Sequence, residues 1–138
     1  AEGGYYAHPR NAFWNVIGAL EGFDPRGVPY RDRLDRMLAR GIALWDVLAG
    51  CRREGSEDSA IVDPVPNDFL DFLPRMAGLR GILFNGQPAF RLWRRLVAPT
   101  LAGPVPECLV LPSTSPAAAR IPAMEKVRIW TEALRSLT

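Results

Sequence analysis

Few side chains in this sequence are equipped for chemistry, and those that are point to positioning more than to proton exchange. His8 is the only histidine, and the two cysteines, Cys51 and Cys108, stand far apart with no CxxC pair. A zinc or iron–sulfur site therefore lacks ligands. No metal and no other cofactor is expected, although carboxylates alone can hold magnesium. The remaining candidates are amides, hydroxyls and one carboxylate beside apolar runs: Asn11, Asp46, Asn85, Ser113 and Ser115. An amide is a poor general base, but it orients water and reads hydrogen-bonding edges.

The basic residues carry a second signal. Sixteen of the seventeen are arginine, and Lys126 is the only lysine. Arginine forks match phosphate oxygens two at a time and stack on bases. A GC-rich coding bias accounts for the same arginines and for the abundant Ala, Gly and Pro. The formal charge of +2 is too small to establish a nucleic-acid partner by itself. Arg52-Arg53 and the stretch Ser56 to Ser59 fit a phosphate-facing loop or a solvated surface equally. Lys126 falls in the last helix, away from the polar loops on this reading.

The elements that must position these residues alternate between helical and extended. Phe13, Trp14, Ile17 and Leu20 recur at helical spacing in a helix from Asn11 to Leu20, which Pro25 and Gly27 end. Asn11 is well placed to cap it. Tyr30 to Arg40 is a second amphipathic helix with Leu34, Met37 and Leu38 on one side and Gly41 as a stop. Ile42 to Leu48 suits a buried strand, and Ala49 to Pro66 reads as a long surface loop. Asn67 or Asp68 caps the next helix, with Phe69, Leu70, Phe72 and Leu73 facing inward until Pro74. A strand at Gly81 to Asn85, a helix from about Gln87 to Leu96 and a strand at Cys108 to Leu111 follow. Pro112 to Arg120 is a loop, and Pro122 opens a last helix running to about Leu137.

Strands separated by helices predict an α/β fold, a three-layer α/β/α sandwich around a central parallel sheet. Ligands of such sheets sit beyond the carboxyl ends of the strands. Asp46 with its following loop, Asn85-Gly86 and the loop Pro112 to Arg120 hold that address. Ser-Thr-Ser-Pro in the last of these is also an ordinary strand-to-helix turn.

Three segments carry a family resemblance. Tyr5-Tyr6-Ala7-His8-Pro9-Arg10-Asn11-Ala12-Phe13-Trp14 resembles the HPxNxFW segment of mismatch-specific and hypoxanthine-DNA glycosylases. Gly41 to Leu48 (GIALWDVL) and Leu111 to Ala117 (LPSTSPA) agree with that family in order and spacing. Together they look closest to the hypoxanthine (deoxyinosine) branch of the uracil-DNA glycosylase superfamily. The resemblance implies a pocket for a flipped base and hydrolysis of its N-glycosidic bond. It gives Asn11 the attacking water and Tyr6, which aligns with an aromatic of the mismatch-specific relatives, a stacking face for the base. Packing of Tyr5 and Tyr6 on the domain, and helix capping by Asn11, are the alternatives that stay open. Ser113 and Asn85 contact the base on this reading, as does Asp46 unless it only holds its loop. Ser115, Pro116, Ala117 and Arg120 engage DNA. The uracil-specific branch carries a histidine and a leucine wedge where this sequence has Ser113 and Ala117, which points away from strong uracil activity.

The resemblance also implies a strand and a Gly-Pro-type loop ahead of Ala1, so the chain is expected to lack the first strand of the sheet. The expectation is one glycosylase domain over residues 1–138, monomeric, acting on double-stranded DNA that contains a deaminated base, hypoxanthine first. No apolar run approaches a membrane span and no leader is visible, so no membrane partner and a cytoplasmic location are expected. The alternatives are a uracil or mismatch-specific glycosylase and a non-catalytic damaged-DNA-binding module on the same scaffold.

Overall fold

A computed structural model describes residues 5–53, 61–76, 78–101, 103 and 105–137; for 48–53, 61–65 and Leu70 it describes the backbone only. The chain forms two compact units, Ala1–Leu44 with Leu111–Thr138, and Trp45–Val110.

The first unit is built on helices. α1 (Phe13–Glu21) buries Phe13, Trp14, Val16, Ile17 and Leu20, the helical stripe that its spacing predicts. It stops where Gly22 turns left-handed (φ 83°) and donates its N–H to the Gly18 carbonyl at 2.7 Å. Gly18 itself admits no side chain, because a Cβ there would lie 2.5 Å from the Phe23 carbonyl oxygen. A short 3-10 turn at Pro25–Gly27, capped by Asp24, leads to α2 (Tyr30–Ala39). Only Met37 of α2 is buried; Leu34 is half-buried and Leu38 lies half in solvent, so the apolar side is narrower than its sequence suggests. The last helix of the chain (Ala123–Ser136) packs on α1 and buries Lys126, Trp130, Thr131 and Leu134.

The chain departs from expectation around the boundary at Leu44 and Trp45. Ile42 to Asp46 forms no strand. The strand β1 instead spans Leu48–Arg53 and pairs antiparallel with β2 (Ile61–Pro66), Leu48 opposite Pro66 and Arg53 opposite Ile61. The region read as a long surface loop is therefore largely a bulged ribbon. Its Gly, Pro and charged residues hid it from a pattern search, because a ladder is satisfied by backbone groups whatever the side chains. The stretch from 54 to 60 lies outside the described residues, as do the side chains of Arg52 and Arg53.

Asp68 caps α3 (Phe69–Phe72) by accepting from the Asp71 N–H at 3.1 Å, and Pro74 converts the next turn to 3-10. β3 (Gly81–Asn85) and β4 (Glu107–Leu111) form a parallel pair. Between them α4 (Gln87–Leu92) widens into a π turn at Trp93–Val97 and ends in a 3-10 turn at Ala98–Thr100. This unit has its own core of Phe69, Phe84, Trp93 and Val97, with Trp93 edge-on to Phe69 at 5.0 Å and to Phe84 at 5.4 Å. The mixed α/β class and the parallel pairing agree with the sequence reading. The final helix is named α5 below. Among the described residues no helix is long and apolar enough to cross a membrane.

Candidate active site

Residues 5–12 and 112–118 are tied together in the first unit by bonds of main chain and buried side chains. Tyr5 is held at both ends of its peptide: its N–H donates to the Tyr30 hydroxyl at 3.1 Å, and its carbonyl accepts from the Trp14 indole at 2.9 Å. Trp14 and Tyr30 meet edge-on at 5.7 Å, with the Arg33 guanidinium 5.1 Å from the Trp14 ring. Tyr6 follows with φ 55°, and no other non-glycine residue among those described is left-handed. An aromatic residue is strained in that region, so its surroundings must impose it. Its ring lies 4.4 Å from that of Phe13 and is half-buried, which leaves part of its surface to solvent.

His8 is exposed and shapes the turn into α1. Its carbonyl accepts from the Asn11 N–H at 2.9 Å and its Nδ1 from the Arg10 N–H at 3.1 Å. The half-buried Asn11 accepts through Oδ1 from the Phe13 N–H at 3.0 Å, while Ala12 occupies the formal cap position. The capping expected of Asn11 is thus present, one residue outside the helix. It does not exhaust the amide. Oδ1 keeps a second lone pair and Nδ2 keeps two donors, now in a fixed orientation. A side chain so held can place a water.

The loop after β4 is anchored through three accepting carbonyls. The Pro112 carbonyl accepts from the Trp130 indole at 2.8 Å, and that of Thr114 from the Ala12 N–H at 2.9 Å. The Ser115 carbonyl accepts from Lys126 Nζ at 2.9 Å and from the Ala118 N–H at 3.1 Å. The expectation that Lys126 lies away from the polar loops is therefore wrong: it is buried directly against one. The signal was its spacing, since Lys126, Trp130 and Leu134 follow at four-residue intervals and share the buried face of α5. Thr114, also missed, is fully buried. The hydroxyls of the loop brace it, Ser113 Oγ accepting from the Ser115 N–H and Ser115 Oγ from the Ala117 N–H, each at 3.2 Å. Each keeps its one proton to donate elsewhere. Pro116 is half-buried, and Ala117 and Arg120 are exposed.

Asp46 and Asn85 belong to the second unit. Asp46 is exposed; its carbonyl accepts from Asn67 Nδ2 at 2.6 Å, and the Val47 carbonyl from the Asn67 N–H at 2.8 Å. Asn67 thus fastens the stretch instead of capping α3. Asn85 ends β3 and is half-buried, before the buried Gly86 with φ 93°. Among the described residues no three His, Cys, Asp or Glu side chains lie close enough to hold a metal ion.

The chain is 38% identical to a hypoxanthine DNA glycosylase of Methanosarcina acetivorans over 116 residues, 84% of this chain and 70% of that protein. It belongs to the uracil-DNA glycosylase superfamily, in the hypoxanthine branch. A hypoxanthine DNA glycosylase of Methanosarcina barkeri is 39% identical over 83 residues, 60% of this chain. The chain spans only 52% of that relative's length. The solution structure of a candidate uracil DNA glycosylase from Methanosarcina acetivorans is similar with a TM-score of 0.71 and 33% identity, over 93% of this chain and 78% of that one. No family profile matches the chain. Membership of this superfamily fits the mixed α/β fold with its parallel strand pair.

Proposed function

We propose that the chain acts as a monofunctional DNA glycosylase that hydrolyses the N-glycosidic bond of flipped deoxyinosine. The observation that supports this most is the identity to hypoxanthine DNA glycosylases across 84% of the chain. The segments that carry the family pattern, residues 5–14 and 111–117, are also fastened to one another through Ala12 and Thr114.

In this reading a deaminated base leaves the stack of a DNA duplex, at a cost of a few kcal/mol, and rests on Tyr6. The amide of Asn11 holds a water against C1′ of the sugar. As the bond from C1′ to the base nitrogen breaks, positive charge grows on the sugar and negative charge on the base. Water adds to the sugar, its proton passes to solvent, and the base departs to leave an abasic site. An amide suffices because bond breaking runs ahead of attack, so water needs orienting more than deprotonating. Ser113 donates to the departing base. Ser115, Pro116, Ala117 and Arg120 engage the strand, and Arg120 fills the role that Ala117 is too small for. Asp46 and Asn85 are assigned to the base on the family pattern and on the end-of-strand position of Asn85 alone. The full reading is a monomer in the cytoplasm, one glycosylase domain over 1–138 with a three-layer α/β/α architecture.

Uracil is the second substrate to weigh, because a structural relative is a candidate uracil DNA glycosylase. Ser113 and Ala117 in place of histidine and leucine favour hypoxanthine. The test uses duplexes carrying hypoxanthine, uracil or xanthine, with alkali-labile sites as readout. Hypoxanthine should be cut fastest, and binding should weaken steeply with salt as phosphate contacts release counterions. Uracil excised as fast as hypoxanthine from matched duplexes would move the chain to another branch. Binding without turnover on any of them would make it a damage-binding module.

A further inference from the structure

The proposed chemistry makes no use of Lys126, yet its placement is costly. The only lysine of the sequence is 3% exposed, and no carboxylate pairs with it among the described residues. The acids nearest to it on α5, Glu125 and Glu132, are both engaged by Arg128. It also sits in the first turn of α5, where the helix dipole disfavours a cation. A buried ammonium in such a position must be held by what it bonds, and its bond is to the Ser115 carbonyl at 2.9 Å.

We propose that Lys126 is a positioning residue that locks the DNA-engaging turn from beneath. Ser115 is the hub of that turn. Its carbonyl accepts from Lys126 and from the Ala118 N–H, its hydroxyl accepts from the Ala117 N–H, and its own N–H donates to Ser113 Oγ. Fixing the carbonyl fixes the peptide plane, and with it the placing of the half-buried Ser113 and Ser115 and the exposed Ala117. A charged donor suits this task, since hydrogen bonds from an ammonium are about twice as strong as neutral ones. The same bond withholds the amine from Schiff-base chemistry, which needs a free, deprotonated nitrogen at the sugar.

This inference rests on the glycosylase reading for its consequence in catalysis, but its structural core is testable without it. A single lysine means that 15N-lysine labelling yields one side-chain signal. In the unaltered chain the Lys126 Nζ resonance should show slowed hydrogen exchange and a coupling across the hydrogen bond to the Ser115 carbonyl. Lys126→Met should shift the amide resonances of Ala117 and Ala118 and slow single-turnover excision of hypoxanthine about tenfold or more, the scale of a small misplacement. Lys126→Arg, which keeps a charged donor, should recover most of that loss. A fast-exchanging Nζ without coupling would overturn the proposal even where Lys126→Met does not fold. So would undisturbed Ala117 and Ala118 amides in Lys126→Met, or an Arg variant no better than Met. Borohydride trapping that Lys126→Met abolishes would make the amine a nucleophile and overturn it too. A slow, coupled Nζ in a chain that excises none of hypoxanthine, uracil or xanthine would support the lock and overturn the glycosylase reading.

Discussion

The loop at 112–118 and the stretch at 42–47 both overlap segments of the family pattern, and each was expected to follow or form a strand. They are built very differently. The first leaves a real strand, β4, and has carbonyls bound by Trp130, Ala12 and Lys126, donors that come from two separate helical regions. The second has no ladder, and one residue, Asn67, donates to its carbonyls at both Asp46 and Val47. Composition differs, three hydroxyl residues in 112–118 against one carboxylate in 42–47, but side-chain type does not decide which backbone carbonyls are bound. What separates them is the number of independent, buried donors that regular elements aim at each backbone. A segment held at three points keeps its side chains to the tolerance that catalysis needs.

The comparison is sharpest at Asn11, whose neighbour Ala12 ties α1 to the anchored loop. Asn11→Ala should lower the single-turnover rate by about 10²-fold or more while costing only ~1 kcal/mol of stability through the lost contact to the Phe13 N–H. Asn11→Asp should keep that contact and change the pH dependence, because a carboxylate accepts a proton where an amide does not. Near-normal excision by a folded Asn11→Ala chain would reduce Asn11 to a helix brace.

Next comes the anchor itself. Trp130→Phe keeps a ring near Phe13, which now lies 6.2 Å away edge-on, but removes the donor to the Pro112 carbonyl. Leaving that carbonyl unpaired should cost about 1–3 kcal/mol in chemical denaturation, and excision should slow with it. Unchanged stability and rate would show that the loop does not depend on its anchors.

The smallest effect is expected in the second segment. Asn67→Ala removes the side-chain donor to the Asp46 carbonyl at a solvent-exposed site and should cost no more than about 1 kcal/mol. Excision by this variant should stay close to that of the unaltered chain. A collapse in rate matching that of Asn11→Ala would mean that the two segments are equally tuned and that Asp46 has a larger part than its exposure suggests.

Much of the chain was legible without coordinates. The stripe in α1, the start of α2 at Tyr30, β3 at Gly81–Asn85 and the long α5 all emerge where periodicity and punctuation place them. These features arise from interactions between residues three or four apart, or from glycine and proline at a boundary, so local sequence holds the information. The three family segments were equally visible, and they led to the same branch that the relatives identify.

Tertiary structure alone decided the rest. The β1–β2 ribbon depends on register between backbones, with Leu48 opposite Pro66, and no side-chain pattern encodes it. The left-handed Tyr6 follows a residue fixed by Tyr30 and Trp14, which stand 25 and 9 residues from Tyr5. Lys126 was placed away from the polar loops because it lies in the last helix, where nothing among the described residues of that helix pairs with its ammonium. Its partner is a backbone carbonyl 11 residues away, and a carbonyl is present in every residue. The sequence determined which segments carry the family pattern and which helices flank them. Which main-chain atoms hold them still depended on contacts between distant residues, where position in space and not residue type makes the bond.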